Sequence, residues 1–341
     1  MSHALRRRRR AAAVWLGLAG LALGALALAA ACGTRGCAPL ATWQALFSPD
    51  GDPLAREIVL RLRLPRALAG FAVGGLLAVA GALMQVLLRN PLADPYVLGL
   101  SGGAALAGLL ALAAGAGAAT LLAASWGGAL VSIAALFALG GSSFRRLAAD
   151  PAGAPTRLLL TGVMLAALWS ALVTLVLALA PDAVLRGMFF WLIGELSGAQ
   201  GGTLALLALG AVLVAALGLS RSLNTLLAGD ARAQSLGVDV ARLRAVVCLL
   251  GAGATAVAVT TAGSLGFVGL IVPHALRRLC GNDQRLLLPA CALGGGTLVM
   301  LADTLARTLV APRQLPVGAI MALLGVPAFL FVLRRAPQSA R

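Results

Sequence analysis

The chain has 341 residues, of which 60% are hydrophobic and 11% charged. A soluble domain carries roughly 25% charged residues, so this composition cannot cover a water-facing surface; it excludes a soluble fold and points to an integral membrane protein. The formal charge of +16 does not argue for nucleic acid, because all 27 basic residues are Arg and they cluster between apolar runs, as topogenic signals do, rather than forming one face.

The lack of Lys removes any P-loop, whose Lys must reach the phosphates. If ATP drives this protein, another chain hydrolyses it. The five cysteines form no CxxC pair and no Cys/His cluster, so neither a metal nor a cofactor site is suggested. Cys32 and Cys37 fall where an oxidising compartment is expected and either pair or remain thiols.

In chain order, Arg6 to Arg10 precede an apolar run over about 11–31, long enough to span a bilayer. The run has features of a signal peptide, and Cys32 after three alanines has the look of a lipoprotein cleavage site. With many spans downstream, an uncleaved first helix with its N-terminus in the cytoplasm is the better reading. Residues 33–66 are polar and turn-rich, an expected external loop closed by Leu64-Pro65. A second span is expected over about 67–88, with Gly70 and Gly74 spaced for close helix packing.

A Pro-broken turn follows, Arg89-Asn90-Pro91-Leu92-Ala93-Asp94-Pro95, and then an uncharged stretch to Phe144 that holds two spans joined near Gly115 and Gly117. Arg145, Arg146 and Arg157 mark an inside loop before a fifth span over about 158–180. Residues 181–202, with Arg186, Trp191 and Glu195, read as an amphiphilic segment at the outer interface, where Trp is favoured. A sixth span ends near Ser220, and a mixed-polarity island, 223–240, separates it from a seventh beginning near Ala245. Gly263-Ser-Leu-Gly266 divides the next run into the seventh span and a short eighth; a ninth covers about 286–305 and a tenth about 316–333. With ten spans and both ends inside, nineteen arginines fall on the inner side and eight on the outer, the bias the orientation requires.

Few residues offer chemistry. Gly99-Leu100-Ser101-Gly102 matches the short motif of rhomboid intramembrane proteases, with His274 as the partner base, but four residues in a Gly- and Ala-rich chain match readily by chance. No pair of intramembrane carboxylates suggests the proton relay of an ATP-independent carrier; Asp303 is the one acid well inside an apolar run. Asp303 and Arg307 stand four apart in the favourable order. They form an internal ion pair, or Arg307 faces outward to an acidic partner; the spacing favours the first. Arg61, Arg63 and Arg66 anchor to lipid headgroups or hold a docking protein's carboxylates, with Pro65 fixing the last two in relation. Asn90-Pro91-Leu92 is a simple turn or a constriction at an inner pore mouth.

Several separate motifs, in order, carry a family resemblance. They are Arg63-Leu-Pro-Arg66; Gly81 with Met84-Gln85 leading into the 89–95 turn and Leu98-Gly-Leu-Ser-Gly102; Trp191-Leu-Ile-Gly194; Leu223-Asn224; Gly229-Asp230 with Ala233, Ser235 and Gly237-Val238; the block from Ala262 through Pro273-His274 to Arg277; Leu315-Pro-Val-Gly318; and Gly325, Pro327 and Phe329. Over roughly 61–333 the chain resembles the FecCD-type permeases, the membrane subunits of ABC importers for iron–siderophores, haem and vitamin B12. The resemblance implies an all-α integral membrane protein of about ten transmembrane helices with type II importer architecture: one transmembrane domain over 1–341, with a basic cytoplasmic tail over 1–10 and a coupling segment over 223–240. It also implies a homodimer or close heterodimer in the bacterial inner membrane, two ATP-binding cassette subunits on the cytoplasmic side and a periplasmic substrate-binding protein outside, in contact with membrane lipid and not with nucleic acid.

By the same resemblance, Arg63, Arg66 and Arg307 match arginines that meet glutamates of the binding protein in vitamin B12-importing members. Asn90 and Leu92 match pore-closing residues. Pro155 and Thr156 match the cytoplasmic end of the fifth helix, where Pro155 departs from a hydroxyl residue. The ATPase-coupling helices match Gly229, Asp230, Ala231, Arg232, Ala233, Gln234, Ser235, Leu236 and Gly237. Gln314 stands where the family has Glu.

Overall fold

The computed structural model describes residues 3–34, 36–48, 52–99, 101–146, 153–197 and 201–334. The described helices are α1 (His3–Ala31), α2 (Pro39–Phe47), α3 (Pro53–Ile58), α4 (Leu64–Leu87), α5 (Gly102–Ala113), α6 (Ala118–Arg146), α7 (Gly153–Leu179), α8 (Asp182–Ile193), α9 (Gly202–Gly218), α10 (Ser220–Leu227), α11 (Asp230–Ser235), α12 (Val240–Ala262), α13 (Val268–Cys280), α14 (Gln284–Thr308) and α15 (Val317–Arg334). A two-stranded antiparallel hairpin, β1 (Cys32–Gly33) and β2 (Gly36–Cys37), follows α1.

Helices occupy the ten expected segments in the expected order, but they are unequal and not all are apolar enough to span. Six helical segments among the described residues are long and apolar enough to cross a membrane alone. The sixth expected span is a bent pair, α9 and α10, with a 59° bend between them. The third, eighth and tenth are α5, α13 and α15, where α5 and α13 have only 12 and 13 residues, below the roughly 20 of a full span. Such short helices are tolerated at membrane depth only where protein covers their ends.

The helix at the centre is α4. In its most apolar window 89% of residues are buried, against 11% for the windows of α1 and α7, which turn their side chains outward as lipid-facing helices do. α4 is packed by α9, α12, α13 and α14. Its small residues make this possible. A Cβ on Gly74 would lie 2.2 Å from the carbonyl oxygen of Gly295 on α14, and one on Gly81 would lie 2.0 Å from that of Gly269 on α13. Close backbone approach of this kind replaces the hydrophobic drive that is missing between helices in lipid.

Four expectations are corrected. Residues 33–66 are not a simple loop: they hold the hairpin, α2 and α3, and a five-residue π-helical turn, Val59–Arg63, that runs straight into α4. Leu64-Pro65 therefore does not start the helix. The wider turn just before Pro65 accommodates the donor that Pro lacks. The basic residues 6–10 are not a separate tail but the first turns of α1, whose 29 residues reach about 44 Å at 1.5 Å each. The seventh span begins at Val240, capped by the Asp239 side chain accepting from the Arg242 amide at 3.0 Å, rather than near Ala245. Residues 181–202 are not merely interfacial, since Gly194 at the end of α8 packs against Ser264 and Leu265 between α12 and α13.

Candidate functional site

Three polar clusters are set along the bundle. The one on the expected outer side gathers around the start of α4 and the end of α14. The Arg66 guanidinium grips Asp303, donating from Nε at 3.0 and 3.1 Å and from Nη2 at 2.8 Å, and gives Nη1 to Gln314 Oε1 at 2.8 Å. Arg307 Nε lies 3.2 Å from the second Asp303 oxygen, a charge contact without hydrogen-bond alignment. Its other nitrogens donate to the carbonyls of Cys32 at 3.2 Å and Ala29 at 3.3 Å. Arg63 donates to the Ala30 and Ala31 carbonyls at 2.8 and 3.1 Å. Two arginines thus satisfy the free carbonyls at the end of α1, where a helix needs donors and favours cations.

The sequence had left Arg307 between two readings. The internal pair is the one formed, and Arg307 is only 4% exposed. Asp303 also holds Arg66, a partner 237 residues away that no local spacing could announce. Gln314 accepts from Arg66 as a neutral acceptor. Arg61 remains exposed, with an i,i+4 partner in Glu57. Cys32 and Cys37 form a disulfide across the hairpin. Gly33, Arg61, Arg63, Arg66, Arg307 and Gln314 line a cleft of about 790 Å³ at this end.

Midway along the bundle, motifs that are far apart in sequence meet. The Glu195 amide donates to the Ala262 carbonyl at 2.9 Å, the Gly318 amide to Gly194 at 3.3 Å, and the Leu265 amide to the Tyr96 hydroxyl at 3.0 Å. A Cβ on Gly318 would lie 1.7 Å from the Ile193 carbonyl oxygen, which only glycine avoids. The breaks before α13 and α15 are thereby held by backbone pairing instead of being exposed.

The cluster on the expected inner side surrounds the 223–240 island. Gly229 and Gly237, with φ of +116° and +79°, bound the short helix α11 as expected for segment ends. The Asp230 carboxylate is buried and ion-paired with both Arg89 and Arg244; Arg244 Nη2 lies 3.0 Å from each carboxylate oxygen. Asn224 clamps α10 to the start of α14, donating to Asp283 at 2.8 Å and accepting from the Gln284 amide at 2.9 Å. Ala233 is buried, while Ala231, Arg232, Gln234, Ser235, Leu236 and Gly237 are exposed. Asn90 and Leu92 form a turn in which Asn90 Oδ1 accepts from the Leu92 amide at 2.9 Å, with Leu92 43% exposed. Pro155 and Thr156 stand in the first turns of α7; their side chains lie outside the described residues. The sequence reading missed the Arg89–Asp230–Arg244 cluster. Its only clue was an acid in a segment that folding would bury, which requires a cation nearby.

Ser101 and His274 line different cavities: Ser101 one with Tyr96 and Trp169, His274 one with Gln85, Arg89 and Arg277. No nucleophile–base pair is formed, and the protease reading falls. Asp303 is committed to two arginines, so it is not the free titrating acid that a proton-coupled carrier would need.

Residues 21–335 match the FecCD transport family. The chain belongs to this family. It is similar to the hemin transport permease HmuU of Yersinia pestis, with 39% identity over 86% of this chain and 88% of that one. It is also similar to the vitamin B12 import permease BtuC of Escherichia coli, with 38% identity over 85% and 86%, and to the cobalamin import permease BtuC of Halobacterium salinarum, with 38% identity over 86% and 79%. Among solved structures, it resembles a metal-chelate type ABC transporter in an inward-facing conformation, with 30% identity and a TM-score of 0.82 over 95% of this chain and 99% of that one. PsaBC of Streptococcus pneumoniae, at 17% identity and a TM-score of 0.56, shares the fold. The chain is a multi-pass ABC importer permease of the FecCD family, with an all-helical transmembrane architecture.

Proposed function

We propose that the protein moves a bulky metal chelate, haem or a cobalamin among them, inward across a bacterial inner membrane as one of two permease subunits. The near full-length likeness to a metal-chelate type transporter carries this reading, and the hemin and vitamin B12 permeases among its relatives bracket the cargo. Two ATP-binding cassette subunits sit on the inner face at Gly229–Gly237, and a periplasmic binding protein sits on the outer face. Both termini are cytoplasmic. The arginine bias supports this orientation, as does a disulfide at the outer end of α1 in a chain whose other cysteines are buried.

The outer docking face is the rim around Arg63, Arg66 and Arg307. Because these three are tied internally, they hold the rim in shape, and Arg61, exposed and paired only with the also exposed Glu57, is the cation that can turn to an incoming carboxylate. Closure of the ATPase pair displaces α11, helices tilt as rigid bodies, and the turn at Asn90 and Leu92 with the α7 end at Pro155 and Thr156 opens and shuts the path. The path is weakly polar and poor in aromatic residues, so specificity lies mainly in the binding protein.

Proteoliposomes holding the permease, its ATPase subunits and its binding protein should accumulate hemin or cyanocobalamin only with internal-side ATP. Uptake without ATP overturns the importer reading. Arg61→Glu should weaken capture of the binding protein by the solubilised complex while leaving thermal stability unchanged. Undiminished capture removes this face as the docking site.

A further inference from the structure

Asp230 opens α11, and its side chain is only 6% exposed. Two guanidinium groups from separate elements meet it. Arg244, on α12, is 2% exposed and contacts both carboxylate oxygens. Arg89 follows α4 immediately, pairs with Oδ1 through Nη2, and gives the same nitrogen to the Leu226 carbonyl at the end of α10 at 3.4 Å. One buried negative charge therefore faces two positive ones. Arg244 Nε and Nη1 find no hydrogen-bond partner among the described residues, so the cluster is incompletely compensated. In such a cluster the position of the lone carboxylate decides how strongly the two cations repel, and a small displacement changes the balance.

The placement of Arg89 gives the cluster a direction. Its backbone is left-handed, with φ +49°, a conformation L residues rarely adopt, and Asn90 is its next neighbour in the turn that ends at Leu92. Arg89 thus joins α11 by its side chain and the turn by its backbone. Its Nη2 also sits against Leu226, so it reads the end of α10 as well. Arg244 lies one turn into α12, part of the long buried helix beside α4, and provides the fixed end of the link.

We propose that Arg89 and Arg244 are positioning residues for transport. Asp230, carried by α11, moves Arg89 and with it the Asn90–Leu92 turn, while Arg244 holds the carboxylate in register with the bundle. The proposal rests on the coupling role of α11 and the gating role of the turn.

Hydrogen exchange on the whole complex, permease with its ATPase subunits in nanodiscs, tests it. Peptides covering 229–238 and 89–99 are followed without nucleotide and with ATP trapped by vanadate. In the unaltered protein both peptides should respond. In Arg89→Gln the response of 229–238 should persist while that of 89–99 falls by roughly two- to thirty-fold, the range expected when a coupling contact is cut. Arg89→Lys, which keeps the charge, should restore the larger part, and Arg242→Gln, at an exposed arginine two residues from Arg244 on α12, should leave both responses intact. Asp230→Asn, nearly isosteric, is the second route to the same decoupling. A full response of 89–99 in both Arg89→Gln and Asp230→Asn overturns the link. No response of 229–238 in the unaltered protein overturns the coupling reading itself, and the link with it.

Discussion

Asp303→Asn isolates the outer cluster with almost no change of shape. The native carboxylate is 2% exposed and receives three hydrogen-bond contacts from Arg66 and a charge contact from Arg307, whose side chains are 13% and 4% exposed. The amide keeps the volume but carries no charge, and its NH₂ group turns a donor toward guanidinium donors. Two buried cations then share one neutral neighbour. Removing one partner of a buried ion pair costs about 3–5 kcal/mol, because the stranded charge cannot recover its hydration. At this chain length roughly 2 °C of Tm accompanies each kcal/mol, so a fall of roughly 6–10 °C is expected. Cys248, Cys280 and Cys291 are buried free thiols, so a thiol-reactive fluorophore in detergent reports the loss of the bundle directly. Asp303→Glu, which keeps the charge, should fall by less. A Tm for Asp303→Asn within about 2 °C of the unaltered protein would refute the reasoning and mean that water reaches the cluster and screens it.

Gly318→Val should abolish folded protein, because any Cβ there collides with the Ile193 carbonyl; a monodisperse peak of normal Tm would contradict this. A membrane-impermeant maleimide applied to intact spheroplasts should label Cys37 only after mild reduction, and labelling confined to inverted vesicles would reverse the orientation. Asn224→Leu removes both hydrogen bonds that clamp α10 to α14 and should cost about 1–3 kcal/mol with faster amide exchange over 220–237, whereas unchanged exchange would show that the clamp does not set the position of α11.

Much of this architecture is local in the chain and could be read there. Hydrophobic run length marks spans, and Gly229 and Gly237 bound a short helix because backbone with positive φ selects glycine. The family motifs followed the same order. The Asp303–Arg307 spacing announced an internal pair, and the pair is formed. The unequal lengths of the spans were less legible. α5 and α13 are too short to satisfy a span rule; the break before α13 is covered by neighbouring backbone at Gly194, and the start of α5 packs at Gly102 against Trp169 of α7. The continuous helix through Pro65 escaped for a related reason: a π turn has no sequence signature as strong as the proline it accommodates.

The sequence by itself determined that this is a membrane bundle, its order of segments and its family. Only the tertiary structure decided which charges meet. Arg66 finds Asp303 across 237 residues and Arg89 finds Asp230 across 141. Arg66 stands in the first turn of α4 and Arg89 just beyond its last, and α4 is the helix around which the others pack. In a medium that hydrates no ion, a buried charge takes whatever opposite charge the packing brings to it, and that choice is made by the bundle and not by spacing along the chain.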